Sequence, residues 1–163
     1  MAYLLDSNVL IEAKDRYYGF DFHPGFWTWL IDANANGVLC SIEKVADELK
    51  AREDQLSAWV RDRDDSFFLK PDDPVTASLQ ACSTWVTGCG QYEPAAINTF
   101  LSAADYYLVA HAHAHGHTVV THERPENSRY KVKIPNACVG MNVPWVNTFQ
   151  MLSAVGVQFV IAP

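Results

Sequence analysis

The feature that most constrains this chain is a recurring alternation. Short, unbroken apolar runs of three to five residues are each followed by a helical pattern. Ala2-Tyr3-Leu4-Leu5 ends on Asp6, and apolar positions then recur from Val9 to Ile11. Val38-Leu39-Cys40 leads into a segment with Ile42, Val45, Ala46 and Leu49 on one face. Ser66 to Leu69 precedes two helical stretches, Pro74–Gly88 and Pro94–Ala104. Asp105 to His115 forms a further helix closed by Gly116, and His117 to Thr121 is the next strand. Continuous apolar strands without alternation are those of buried parallel sheets, and strands alternating with helices build α/β layers. The expected fold is therefore α/β, a three-layer α/β/α sandwich with a mostly parallel central sheet, in a single domain over residues 1–163.

Several boundaries follow from local chemistry. Ser7 or Asn8 is expected to cap the first helix, Pro24 to open the second and Gly37 to close it. Ser41 is expected to cap the helix that carries Glu48, and Gln55 to Arg63 forms another amphipathic piece. Ile134, Val143–Trp145 and Val157–Ile161 are expected as extended pieces around a helix over 146–154.

Three acidic residues share one topological position. Asp6 ends the first strand, Glu123 follows the strand His117–Thr121, and Asp105 opens the helix that feeds that strand. In open parallel sheets, sites form beyond the carboxyl ends of the strands. Glu48 can reach the same crevice. Carboxylates gathered there repel one another, and a divalent cation relieves the repulsion. Oxygen-only donors favour Mg²⁺ or Mn²⁺ over zinc, and such a centre suits phosphodiester hydrolysis. Charge is consistent with that: 12 Lys and Arg against 19 Asp and Glu give −7, so affinity for nucleic acid through a broad basic surface is excluded. Taken singly, Asp6 and Asp105 also read as helix-terminal acids, and Glu43, Asp47 and Glu48 as a solvated face.

The basic residues Arg124, Arg129, Lys131 and Lys133 cluster directly after Glu123. They read either as phosphate contacts or as a solvated loop. Tyr106, Tyr107 and the tryptophans read as core, with base stacking as the alternative. His111, His113, His115 and His117 alternate along a helix and so do not share one face. Only His111 and His115 do; they read as residues of a helix C-terminus, where positive charge is favourable, with chelation of a transition metal as the alternative. The four cysteines, Cys40, Cys82, Cys89 and Cys138, contain no C-x-x-C pair, which fits reduced thiols in a cytoplasmic protein. A zinc site built from Cys82, Cys89 and a histidine is the other reading of them. The first fourteen residues lack the basic segment of a signal peptide, and no run approaches the ~18 apolar residues of a membrane span.

Four segments together resemble the PIN-domain nucleases. Tyr3-Leu4-Leu5-Asp6-Ser7-Asn8-Val9-Leu10 is similar to the family's opening, and Val45-Ala46-Asp47-Glu48-Leu49 to its second acidic segment. Ala104-Asp105-Tyr106-Tyr107-Leu108-Val109-Ala110-His111-Ala112 and Val119-Val120-Thr121-His122-Glu123 resemble the third and fourth. Ile134-Pro135-Asn136-Ala137-Cys138 resembles the tail of a PIN subfamily. The resemblance implies a Mg²⁺- or Mn²⁺-dependent endoribonuclease acting on single-stranded or structured RNA, of the VapC toxin type, homodimeric and neutralised by a cognate antitoxin protein. It assigns Asp6, Glu48, Asp105 and Glu123 as acidic ligands, and Asn8 and Thr121 as supporting polar groups. Glu123 departs from the family's more usual Asp, and Glu43 competes with Glu48. A flap-type DNA nuclease and a catalytically silent PIN-scaffold interaction module are the alternative functions. A phosphoacceptor domain lacks the Lys it needs after a late strand.

Overall fold

The computed structural model describes residues 1–162. Five strands form one all-parallel sheet: β1 (Tyr3–Leu5), β2 (Leu39–Ile42), β3 (Phe68–Leu69), β4 (Thr118–Val120) and β5 (Trp145–Val146), in the spatial order β3-β2-β1-β4-β5. The first three strands are laid outward in one direction and the last two in the other. The order thus reverses between β1 and β4, and a crevice opens beyond their carboxyl ends. Leu4 and Leu5 of β1 and Val119 and Val120 of β4 are fully buried, as the unbroken apolar runs demand of central strands covered on both faces.

Among the described residues, nine α-helices cover the sheet in two layers: α1 (Ser7–Glu12), α2 (Pro24–Ala35), α3 (Glu43–Lys50), α4 (Gln55–Arg61), α5 (Asp73–Gly88), α6 (Pro94–Ser102), α7 (Ala104–His115), α8 (Ile134–Gly140) and α9 (Thr148–Val155). The expected three-layer α/β/α sandwich is the fold observed. Helix α7 stops where the sequence says it must. Gly116 adopts φ 66°, ψ 33°, a left-handed closure that a side chain disfavours, and its N–H caps Ala112.

Four local expectations are corrected. Ser41 is not a helix cap. It is fully buried inside β2, its N–H bonds Phe67 O at 2.7 Å, and its hydroxyl donates to Leu5 O at 2.7 Å, so the ladder carries the chain on to Ile42. Ile134 begins a helix rather than an extended piece, because Pro135 sits in its first turn, where the missing N–H costs nothing. Neither Ser7 nor Asn8 caps α1: Asp6 holds the N-cap position and both lie inside the helix, which runs on into a π-helical turn, Ala13–Tyr17, where Tyr18 N bonds Ala13 O at 2.6 Å. Val157–Ile161 joins no strand. Its Phe159 instead lies edge-on to His23 and Trp29 beside α2.

One helix contact yields a stability prediction. A Cβ on Gly140 would lie 2.0 Å from Trp85 Cε2, so the indole rests directly on the end of α8. Gly140→Ala is expected to destabilise the fold by about 1–3 kcal/mol, a drop of roughly 3–10 °C in melting temperature. An unchanged melting curve would mean that Trp85 swings aside freely.

Candidate functional site

Asp6 occupies the N-cap position of α1 but does not cap it. Its backbone is extended (φ −72°, ψ 153°) and its side chain makes no bond to the helix N–H groups. Instead Oδ2 accepts from Thr121 Oγ1 at 3.0 Å, and Oδ1 lies 3.4 Å from Ser7 Oγ. The residue is only 2% exposed. Burial, then the charge of Asp105, push its carboxyl up to about 7, with Glu123 and Glu48 adding to the rise and the Thr121 bond opposing it. A plain helix cap would be partnered and low.

Asp105, in the first turn of α7, is raised to about 6 by burial, then by Glu123 and Glu48, while Lys131 pulls it down. These mutual effects place the four carboxylates in one electrostatic neighbourhood. Glu48, Asp105 and Glu123 line one cleft of about 500 Å³ together with Ser7, Asn8, Lys44 and Lys131. Asp6 sits beneath it, linked through Ser7, whose hydroxyl also donates to Glu48 Oε2 at 2.9 Å. Glu48, not Glu43, faces the cleft. Glu43 lies toward Lys70, whose pKa it helps to raise.

Thr121 is the joint of the site. Fully buried at the end of β4, its hydroxyl donates to Asp6 and accepts from Glu123 N at 3.1 Å. One side chain therefore sets the spacing between the acids that follow β1 and β4. Glu123 is further held by Ile134 N, which donates to Oε2 at 2.7 Å, and by Lys131 Nζ, 3.7 Å from Oε1. Among the described residues, no three His, Cys, Asp or Glu side chains form a ready-made coordination group.

A family model described as a domain of unknown function, DUF4411, matches residues 3–159, from β1 to beyond α9. The chain belongs to the DUF4411 family. Neither a curated protein nor a solved structure matches it. The matched span of this DUF4411 chain includes all four carboxylates and both polar residues beside them.

The basic loop divides. Lys131 enters the cleft and Arg124 lines the neighbouring cavity beside Glu123. Arg129 is committed to Glu93 and packs over Tyr130, and Lys133 approaches Glu126 at 3.8 Å. The cation that sequence reasoning missed is Lys44, held 5.1 Å from the Tyr107 ring. Its signal was the four-residue spacing to Glu48, which puts both on one helix face. The histidines lie apart from the cleft, each engaged separately. His115 pairs with Asp72 at 3.0 Å, His113 meets Ser78 at 2.8 Å, and His117 accepts from Ala2 N. Burial pushes His111 down to about 4. Cys40, Cys82 and Cys138 are buried and Cys89 is exposed, and burial lifts the first three thiols well above the usual range.

Proposed function

We propose that this protein is a Mg²⁺- or Mn²⁺-dependent ribonuclease that hydrolyses phosphodiester bonds of RNA. The observation that carries the proposal is the convergence of Asp6, Glu48, Asp105 and Glu123 at the sheet's switch point, where burial and mutual repulsion lift Asp6 and Asp105 above the usual carboxylate range. The donor chemistry fits the cation. All four groups offer oxygen, none offers sulfur or imidazole, and their mutual repulsion is what a divalent charge cancels. When bound there, a Mg²⁺ or Mn²⁺ ion neutralises substrate charge and activates water for in-line displacement.

The chain's own residues divide the remaining work. Asp6 is buried beneath the cleft, and the half-buried Asp105 lines it together with Glu48 and Glu123. Thr121 holds the Glu123 backbone N–H, while the Ile134 N–H and Lys131 hold its carboxylate. Lys131 and Lys44 offer ammonium groups to a phosphate entering between them. Asn8 stands exposed on the same cleft as a polar contact. The chain's net charge of −7 makes such local cations and a bridging ion necessary for any polyanionic substrate. The similarity to the PIN nucleases supports the choice of RNA. It also brings the toxin role, a neutralising partner protein and a homodimer into the proposal.

The test is cleavage of a panel of RNA and single-stranded DNA in Mg²⁺, Mn²⁺ or EDTA, with Asp105→Asn run in parallel. Cutting of RNA that requires the cation and falls at least about a hundredfold in the variant is the expected result. If both proteins are inert and calorimetry detects no Mn²⁺ binding, the centre is misassigned. Mn²⁺ binding without cleavage of any substrate would retain the centre and favour the silent-scaffold alternative.

A further inference from the structure

The carboxylate cleft does not stand alone. A second cavity, of about 660 Å³, shares the Glu123 wall and opens beside it, with Arg124 at the junction. Its character is different. Tyr17 and Phe149 face it while 40% and 45% exposed, and their rings meet edge-on at 5.1 Å. His122 stands 6.0 Å from the first and 5.8 Å from the second. Exposed aromatic rings grouped around an open cavity offer a stacking surface for a planar ring. Tyr17 reaches this position because it closes the π-helical turn, an irregularity that recurs at functional sites.

Glu12 lies in the same cavity, half-buried, and its carboxylate enters no hydrogen bond or ion pair among the described residues. Its charge is felt by His122. A carboxylate offers acceptors only. One without a protein partner is free to accept from a ligand that brings two neighbouring donors. Asn147 and Gln150, which also line the cavity, use their side-chain carbonyls to cap α9, which leaves their NH₂ groups as donors.

We propose that this cavity is a guanine-binding subsite. The ring stacks on Phe149 and meets Tyr17 edge-on, its N1–H and exocyclic amine are accepted by the two Glu12 oxygens, and its carbonyl side meets the amide donors. The pairing is specific by chemistry. Adenine and cytosine each present an acceptor next to their amine, which a carboxylate repels, and uracil presents a single donor between two carbonyls. Because the cavity adjoins the carboxylate cleft through Glu123 and Arg124, a guanosine seated here sets which phosphodiester lies in the cleft. That last step rests on the ribonuclease reading, whereas the base recognition does not.

The experiment titrates the protein in EDTA with 5′-GMP, 5′-AMP, 5′-CMP and 5′-UMP while following backbone amide resonances. The expected result is saturable shifts at Phe149 and Gln150, with GMP binding at least about tenfold more tightly than the other three. Glu12→Gln, which replaces one acceptor by a donor, is expected to remove the preference for GMP, weakening GMP about tenfold while AMP, whose amine and ring acceptor an amide matches, stays the same or tightens. Phe149→Ala, at a half-exposed position outside the core, weakens all four by about tenfold. Equal binding of the four nucleotides, shifts located elsewhere, no shifts at millimolar nucleotide, or a GMP preference that survives Glu12→Gln would each overturn the proposal. EDTA keeps the two readings separate. GMP selectivity in a protein that cuts nothing would leave the subsite standing and remove the ribonuclease. Cation-dependent RNA cleavage without GMP selectivity would do the reverse.

Discussion

Asp6→Asn is expected to give a protein that melts higher at pH 8 in EDTA and has lost RNA cleavage by about a thousandfold or more. The two effects have opposite signs because one group causes both. The Asp6 carboxyl is almost wholly buried and raised to about 7, against 3.8 in an unfolded chain. At pH 8 the folded protein must therefore hold an ionised carboxylate where it prefers a neutral group. At about 1.4 kcal/mol per pKa unit, this is a burden of roughly 4 kcal/mol. Asparagine is close in shape, carries no charge and retains an oxygen that accepts from Thr121. Only part of the burden is recovered, because the amide NH₂ still has to be placed. A gain of about 2 kcal/mol, or roughly 4–8 °C, is the expected size. Such exchange of stability for function is characteristic of strained active centres. A fall in melting temperature at pH 8 would show that the buried charge is not the burden inferred. Undiminished cleavage would place the chemistry elsewhere.

The parts of this fold that could be read from the sequence are those in which one local signal acts without competition. The run Tyr3-Leu4-Leu5 has no polar face to expose and so becomes a central strand, which puts Asp6 at the switch point. Gly116 ends α7 by its positive φ, and that fixes the distance from Asp105 to β4. The misreadings arise where tertiary contacts override a local preference. Ser41 has the chemistry of a cap, but a strand on either side of it takes its N–H and hydroxyl into the ladder. The turn at Ala13–Tyr17 depends on an i−5 bond that no residue type announces, and with it the placement of Tyr17 went unread. The basic loop looked uniform in sequence. Only the fold shows that Glu93 claims Arg129 and that Lys131 is directed to the carboxylates. Charge density in sequence does not say which charges are already neutralised.

The linkage between pH, cation and stability gives the second large effect. A carboxyl whose folded pKa lies above its unfolded value stabilises the fold fully below the unfolded pKa and loses that contribution as pH rises through the folded one. Asp6 does so between 3.8 and about 7, and Asp105 between 3.8 and about 6. In EDTA the two together lower the melting temperature as pH rises from 5 to 8. Cation binding must displace the same protons, so it weakens in acid. At pH 5, Asp6 is about two units below its pKa and Asp105 about one. Protons then reduce the apparent affinity by about a hundredfold and about tenfold, or roughly a thousandfold in all relative to pH 8. With Mn²⁺ at about a hundred times its Kd at pH 8, stabilisation reaches about 2.7 kcal/mol, equivalent to about 5–10 °C, and it nearly vanishes at pH 5. Melting curves at four pH values with EDTA or Mn²⁺ measure this directly. Calorimetry at pH 6 in two buffers of different ionisation enthalpy should find between one and two protons released per cation, about 0.9 from Asp6 and about 0.5 from Asp105, and Asp6→Asn should abolish the larger part of that release. A Mn²⁺ increment that is the same at pH 5 and pH 8 would mean that the cation binds without engaging either Asp6 or Asp105, and the centre would have to be sought among other carboxylates instead.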